Sequence, residues 1–520
     1  MQNDFMSSIK NMLDRVQNNL SETENGAIGY KKTNSALLDL HFQLSSMRNW
    51  DDDRIWTAFL KAYNENPGLA VVWLFFARDA RGGCGERRVF RVIFPQLANE
   101  NPKLASKLVE LIPFYGRWDD VIDVYCGHIP AEVREEVLKC IKHQLEDDLM
   151  AVAKHNRVSL LAKWLPSENT SSDETKRKAV KIRNALGYSP KKYRLILTML
   201  RRYIDVTEQK MSANQWSDID YESVPSKAGM VYRCAFQRHD SDRYSNYLTY
   251  VKEGKAKMNA GVLFPYEIVH AYMSDSWDED LKQYDETLEL KWKNLPNTVP
   301  DNQGTLVVVD GSGSMGARVG HTDITCHDVA RSLGIYFAER LSGGFNNSFI
   351  TFSANPKLIR FDGVESLRSK LQILYDEDDC SNTNIEKTFD LILRTAVENH
   401  MRQEDVPANI LIVSDMEFDM CTHQYWYDSV PNFDATLFGE IRRRWEAAGY
   451  KLPRLVFWNV CSRTGTIPVT ENELGVALVS GFSPNIADMV MSGNLDPLGV
   501  LIDKLRSDRY ADVWKVVMPS

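Results

Sequence analysis

The stretch Thr305-Leu-Val-Val-Val-Asp310-Gly-Ser312-Gly-Ser314-Met-Gly316 decides the fold. Leu306 to Val309 run without a polar break. A short continuous apolar run of this kind marks a strand buried on both faces of a parallel sheet. It closes on Asp310, and Gly311 and Gly313 let the following loop turn sharply and bring backbone close to a ligand. One carboxylate and two hydroxyls therefore share a tight loop at the carboxyl end of a strand. That is where open α/β sheets bind ligands.

Working downstream, strands and helices alternate. Ile324 to Leu341 reads as a helix, Ser348 to Phe352 as a strand and Ile385 to Met401 as a helix. Asn409 to Val413 is a strand, Phe433 to Ala448 a helix and Arg454 to Val460 a strand. Val476 to Val479 and a last helix near Leu498 to Leu505 complete the series. Alternation of this kind predicts a doubly wound, Rossmann-like α/β domain.

Working upstream, the pattern changes near residue 300. Val89-x-x-x-Ile93-Phe94-x-x-Leu97 and Leu104-x-x-x-Leu108-x-x-Leu111 have helical spacing. Asn101-Pro102, Ile129-Pro130 and Ser189-Pro190 punctuate it. The expected chain is multidomain: an N-terminal helix and tail over 1–50, an all-α half over 51–294, a linker over 295–304 and an α/β domain over 305–520. Stacked helical hairpins, as in HEAT-like repeats, are the natural architecture for the all-α half.

Composition bounds the class. The chain has 520 residues, too many for one typical core, and 26% charged residues, ordinary for a water-soluble protein. The longest strongly apolar run, Leu69 to Ala77, is far short of a membrane span. The N-terminal residues lack the apolar core of a secretory signal. The eight cysteines include no C-x-x-C pair, so free thiols in the cytoplasm are expected. Cys326, His327, Cys421 and His423 match no zinc spacing.

Two further residues complete the loop at Asp310. Thr383 lies just before a helix, and Asp415 ends the strand that begins at Asn409. Asp310, Ser312, Ser314, Thr383 and Asp415 form a hard oxygen set suited to Mg²⁺ or Mn²⁺ with some waters retained. Gly311-x-Gly313-x-x-Gly316 also fits a dinucleotide fingerprint. That fingerprint wants an acidic residue closing a second strand about 20 positions on, and a helix stands there instead. An aspartyl nucleophile at Asp310 lacks a companion acid, because Ser312 occupies that position. No residue has a fixed place as general base, so a non-enzymatic protein is expected.

With these residues in place, the span from about Thr305 to Arg506 resembles the von Willebrand factor A domain. The resemblance implies a metal-ion-dependent adhesion site at the same five residues, open to an Asp or Glu from a protein ligand. The two-part plan, with Leu263-Phe-Pro-Tyr-Glu-Ile-Val269 ahead of the second part, resembles the Ro ribonucleoprotein (TROVE-module) family. A closer similarity, through Arg78-Asp-x-Arg-Gly-Gly-x-Gly-Glu-Arg87, Tyr115-Gly-Arg-Trp-Asp-Asp120 and Val224-Pro-Ser226, is to a domain-of-unknown-function family of bacteria, viruses and plants. The Ro resemblance implies a ring of helical repeats closed by the A domain, with small non-coding RNAs and single-stranded RNA ends as ligands.

The helical half has its own candidates. Lys176 to Arg202 holds ten Lys and Arg and no Asp or Glu, with Tyr188 and Tyr193 interleaved. A local field of this sort attracts phosphate backbones even in a chain of net charge −9. Lys191, Lys192, Arg194, Arg201, Arg202, Arg233, Arg238 and Arg243 are the expected RNA contacts. The arginines of Arg78 to Arg88 read instead as an ion-pair network with Asp79 and Glu86. Trp118 reads as a packing anchor. The expectation is a monomeric, cytoplasmic RNA-binding protein with a divalent-metal adhesion site. The alternative is a metal-dependent protein-interaction module without RNA.

Overall fold

The structure is a computed structural model. It describes residues 18–273, 281–300, 304–352, 355–377, 384–419, 437–468, 475–490 and 496–518. The first described residues do more than form a helix and tail. Strands β1 (Leu20–Glu22) and β2 (Ile28–Tyr30) make an antiparallel hairpin, and α1 (Ala36–Phe42) follows, capped by Ser35.

Helices fill the next part: α2 (Asp52–Glu65), α3 (Pro67–Arg78), α4 (Arg87–Glu100), α5 (Pro102–Leu108), α6 (Trp118–Cys126) and α7 (Ala131–Ala153). Several start as sequence chemistry requires. Asn66 and Asn101 cap α3 and α5 with a proline just inside each, which supplies an acceptor to an otherwise orphan N–H and a preset φ. The run continues through α8 (Asp173–Ala185), α9 (Pro190–Ile204), α10 (Arg233–His239), α11 (Ser241–Lys252), α12 (Pro265–Tyr272) and α13 (Glu286–Lys293), with short helical turns between. The predicted helical half is thus observed. Helix α3 is apolar as far as Ala77 and buried from Gly68 onward, whereas α9 buries only Tyr193, Ile196, Leu197 and Leu200.

Residues 295–300, within the predicted linker, are packed against the second half. Leu295 and Val299 are buried, and the Thr298 backbone N–H donates to the Tyr336 hydroxyl at 3.1 Å.

The second half is an α/β domain on a six-stranded sheet in the order β5-β4-β3-β6-β7-β8. Its strands are β3 (Thr305–Asp310), β4 (Ser348–Phe352), β5 (Lys357–Arg360), β6 (Asn409–Ser414), β7 (Arg454–Asn459) and β8 (Val476–Ser480). All neighbours are parallel except β4 and β5. Helices α14 (Cys326–Arg340), α15 (Leu367–Glu377), α16 (Ile385–Glu398), α17 (Leu437–Ala447) and α18 (Pro497–Leu505) accompany it, and α19 (Ala511–Val517) ends the described chain. Gly334 lets α14 approach β3 closely, since a Cβ there would lie 2.6 Å from Val309. From β3 the chain winds to β4 on one side and then returns to β6 on the other. The crevice at the carboxyl ends of β3 and β6 is therefore the switch point of the sheet.

One buried apolar core runs through both halves. The helical half meets the α/β domain at both of its ends, where α19 packs on α3 and α12 on α14. A smaller core around Tyr221, Phe236 and Tyr244 serves the region of α10 and α11.

Candidate functional site

Asp310 and Asp415 stand at the carboxyl ends of adjacent parallel strands, and both are buried. The Ser312 backbone N–H donates to Asp310 Oδ1 at 2.9 Å, which winds the loop after β3 back on its first residue. The Ser312 and Ser314 hydroxyls are 2.9 Å apart. The loop is anchored to β4 by the Gly311 N–H, which donates to the Phe352 carbonyl at 3.1 Å. Asp310, Ser312, Ser314 and Asp415 thus lie together at the carboxyl ends of β3 and β6. Thr383, the fifth member, lies outside the described residues, as do Cys421 and His423.

Three residues at this site escaped the sequence reading. Ser414 Oγ donates to Asp310 Oδ2 at 2.6 Å. The register pairs Val309 with Val413, so the next residues along, Asp310 and Ser414, fall side by side. Arg463 donates through Nη1 to Asp415 Oδ2 at 3.1 Å and to the Ser314 carbonyl at 3.2 Å. Its remaining nitrogens hold Glu24 at 2.9 and 2.7 Å. Glu24 comes from the β1–β2 turn, far away in sequence, and no local pattern announces it.

The hairpin is fixed over the loop that follows β6. Thr23 Oγ1 donates to the Phe418 carbonyl at 2.6 Å, and the Glu24 N–H to Glu417 Oε2 at 3.0 Å. Glu417 is fully buried and also accepts from the Arg463 and Thr464 backbone N–H groups at 2.8 and 2.9 Å. Met416 sits between, with φ at 65°, a left-handed conformation that a bulky side chain adopts only when its surroundings enforce it.

The electrostatics favour a cation. Burial, and then the charge of Asp415, push the Asp310 carboxyl well above the usual carboxylate range. Burial likewise raises Asp415, against the pull of Arg463. Two buried carboxylates that disfavour each other's charge, beside two hydroxyls, form a donor set that fits a hard divalent cation. Among the described residues no three or more His, Cys, Asp or Glu side chains cluster to hold a metal. An ion here would take much of its shell from hydroxyls and water, and Arg463 now supplies the positive charge.

The cationic candidates of the helical half divide into two sets. Arg201 is consumed by the fold. It donates to the Ala162 and Leu165 carbonyls at 2.8 and 2.6 Å and to Ser167 Oγ at 2.6 Å. Arg233 is bound to Asp285 at 2.6 Å, and Arg243 to the Ser217 and Ile219 carbonyls at 2.5 and 2.6 Å. Lys191, Lys192, Arg194 and Arg202 are exposed on α9, beside Leu195, Met199 and Tyr203, and form no ion pairs among the described residues. Lys192 lies over the Tyr188 ring, 4.2 Å from its centre. Arg238 is also exposed. Tyr193 is buried and donates to the Pro166 carbonyl, so it is core rather than a stacking surface. Three of the five cations of α8 are compensated, whereas Arg177 and Lys181 donate only to the Asp173 and Cys126 carbonyls and form no ion pair among the described residues. Lys176 pairs with Asp173, Lys178 with Asp123 and Glu174, and Arg183 with Glu168. Those acids lie outside the 176–202 window, where the charge count could not see them.

A cavity of about 1240 Å³ opens between the halves. Arg48, Arg87, Arg88, Arg91, Arg117 and Lys227 line it, with Gly320, His321 and Thr322 on the side of the α/β domain. Most of these cations are paired, Arg48 with Glu86, Arg88 with Asp52 and Arg91 with Asp119, Asp120 and Asp123. The expected ion-pair network at Arg78 to Arg88 therefore exists, but with distant partners. Asp79 is held by Arg509, Glu86 by Arg48, and Arg78 reaches Asp120 at 2.6 Å. Arg117 forms no ion pair among the described residues, and burial and its neighbour Arg87 disfavour its charge.

Comparison with known proteins addresses the same two halves. Residues 304–499 match a domain of unknown function, DUF7788. Residues 174–306 match a second domain of unknown function, DUF2828. An uncharacterized protein of Acanthamoeba polyphaga mimivirus is 28% identical over 94% of this chain and 87% of its own length. These matches agree with the expected similarity to a domain-of-unknown-function family that reaches into viruses. Among solved structures, the Deinococcus radiodurans RO (RSR) protein aligns over 89% of this chain and 93% of its own, with 14% identity and a TM-score of 0.37. Among the described residues no helix is long and apolar enough to cross a membrane.

Proposed function

We propose that this chain is a non-enzymatic RNA-binding protein of the Ro-like kind, with a divalent-cation adhesion site of the von Willebrand factor A type at Asp310. The observation that carries the RNA reading is the exposed face of α9. Four cations, Lys191, Lys192, Arg194 and Arg202, stand there with no carboxylate partner among the described residues, interleaved with Leu195 and Tyr203. Unpaired cations release counterions on meeting phosphate, and neighbouring apolar and aromatic groups can stack on unpaired bases. The Arg-lined cavity offers a second basic surface, with Arg117 and the partly exposed Arg87 as its least compensated charges.

The test is crosslinking and sequencing of RNA that copurifies with the protein, beside a Lys191→Glu, Lys192→Glu, Arg194→Glu, Arg202→Glu variant. Discrete RNAs lost in the variant support the reading. Equal recovery from both proteins, or binding indifferent to salt, overturns it.

A second reading, a metal-dependent protein-interaction module, is favoured by the paired carboxylates at the sheet's switch point. Its adhesion site would use Asp310, Ser312, Ser314, Thr383 and Asp415 to hold Mg²⁺ or Mn²⁺, and a partner's acidic side chain to complete the shell. Pull-down of a partner by the wild type and not by Asp310→Ala supports it, and identical capture by both overturns it.

A further inference from the structure

We propose that Arg463 is a tethered counter-cation of the Asp310–Asp415 site, competing with a divalent ion, and that Glu24 on the N-terminal hairpin sets the strength of that competition. The inference rests on the metal-site reading above.

Arg463 is divided between two carboxylates. One nitrogen lies on Asp415 Oδ2 at 3.1 Å and on the Ser314 carbonyl at 3.2 Å. The other two lie on Glu24 at 2.9 and 2.7 Å. The backbone is anchored, because the Arg463 main-chain N–H donates to buried Glu417 at 2.8 Å. The head can move, because the Arg463 and Glu24 side chains remain 27% and 48% exposed. Asp415, in contrast, is wholly buried.

The consequences follow from charge. Two buried carboxylates without a cation repel, and Arg463 brings a positive charge to the rim. A divalent ion beside Asp415 would repel the guanidinium and take over that role. Each state excludes the other in proportion to the strength of the Arg463–Asp415 contact, and the coupling is reciprocal. Glu24 neutralises Arg463 and holds two of its nitrogens away from the site. Without Glu24, Arg463 would bear more fully on Asp415 and the ion would bind less well. The hairpin thus links the N-terminal segment to cation affinity through a single side chain.

The experiment is calorimetric titration of the full chain with Mn²⁺. Arg463→Gln is expected to tighten binding by about tenfold, within the usual range of coupling between sites. Arg463→Lys, which keeps the charge, is expected to stay close to wild type, and Glu24→Gln to weaken binding. Binding by Arg463→Gln where wild type shows none also supports the proposal. If Mn²⁺ binds wild type and is lost in Asp310→Ala, yet Arg463→Gln binds no tighter, the competition is overturned and the metal site stands. If neither wild type nor Arg463→Gln binds Mn²⁺, both fail. Arg463→Met repeats the measurement with the aliphatic stem kept, should the glutamine variant not fold.

Discussion

Arg509 closes on both carboxylate oxygens of Asp79, 430 residues earlier in the chain, with the Nη2 contact to Oδ1 at 2.7 Å. Asp79 is wholly buried and Arg509 is partly exposed. Gly82 makes the approach possible, since a Cβ there would lie 2.2 Å from Arg509 Nε. The Tyr115 hydroxyl donates to the Arg509 carbonyl at 2.7 Å, so the end of the α/β domain is sewn to the first helices. Removing the arginine strands a buried carboxylate, which costs about 3 kcal/mol. Arg509→Ala is therefore expected to lower stability to urea by that order. Unchanged unfolding would show that the contact contributes nothing.

Arg201 and Arg194, seven residues apart on α9, separate folding from binding. Arg201 satisfies two backbone carbonyls, so Arg201→Ala should destabilise by about 2 kcal/mol through unmet acceptors. RNA affinity per folded molecule should be unaltered. Arg194→Ala should change stability by no more than about 0.5 kcal/mol. If it loses one phosphate contact, the slope of log K against log salt shrinks by about 0.7. Thermal melts and RNA titrations at several salt concentrations measure both. The opposite assignment of the two effects would refute the division.

This division marks the limit of what the sequence discloses. The apolar run ending at Asp310 could be read because a central parallel strand has no polar alternation to disguise it. Ser414 was within reach, since parallel register sets it beside Asp310. The edge strand β5 was not, because Lys357-Leu-Ile-Arg360 is short, and Leu358 faces solvent. Charge counting over a window marked Lys191 and Arg201 alike, since their different fates depend on carbonyls near Leu165 and not on their neighbours. Glu24, Arg463 and Asp415 meet only after the hairpin docks, and nothing local in any of the three segments encodes that meeting.

A pH-sensitive seam joins the halves. His270 of α12 sits 3.0 Å from Asp328 of α14. The hydrogen bond to Asp328, against some burial, raises the imidazole above its ordinary value. A group whose pKa is raised by folding contributes stability that is fully present below its unfolded value, near 6.5. That contribution is lost as pH rises through the folded value. The gap in unfolding midpoint between wild type and His270→Gln should therefore be larger in mildly acidic than in alkaline buffer. A gap independent of pH would mean that the imidazolium is not what Asp328 holds.

Glu417 offers the sharpest test of hairpin docking. It is fully buried and gathers donors from Glu24, Ser462, Arg463 and Thr464. Gln at this position keeps the shape but loses the charge and turns one acceptor into a donor facing N–H groups. Leaving buried donors unmet costs about 1–3 kcal/mol. The loss should be local to this seam, where the hairpin also meets the α/β domain through Thr23, Asn25, the Arg463–Glu24 ion pair, Thr466 on Ser21 and Glu22, and the Gly26–Asp419 and Tyr30–Ile467 bridges. Glu417→Gln should therefore speed amide exchange at residues 20–30 and 462–466 while strands β3 and β6 keep their protection. Exchange that rises equally across the sheet would mean that the hairpin and the sheet unfold as one unit.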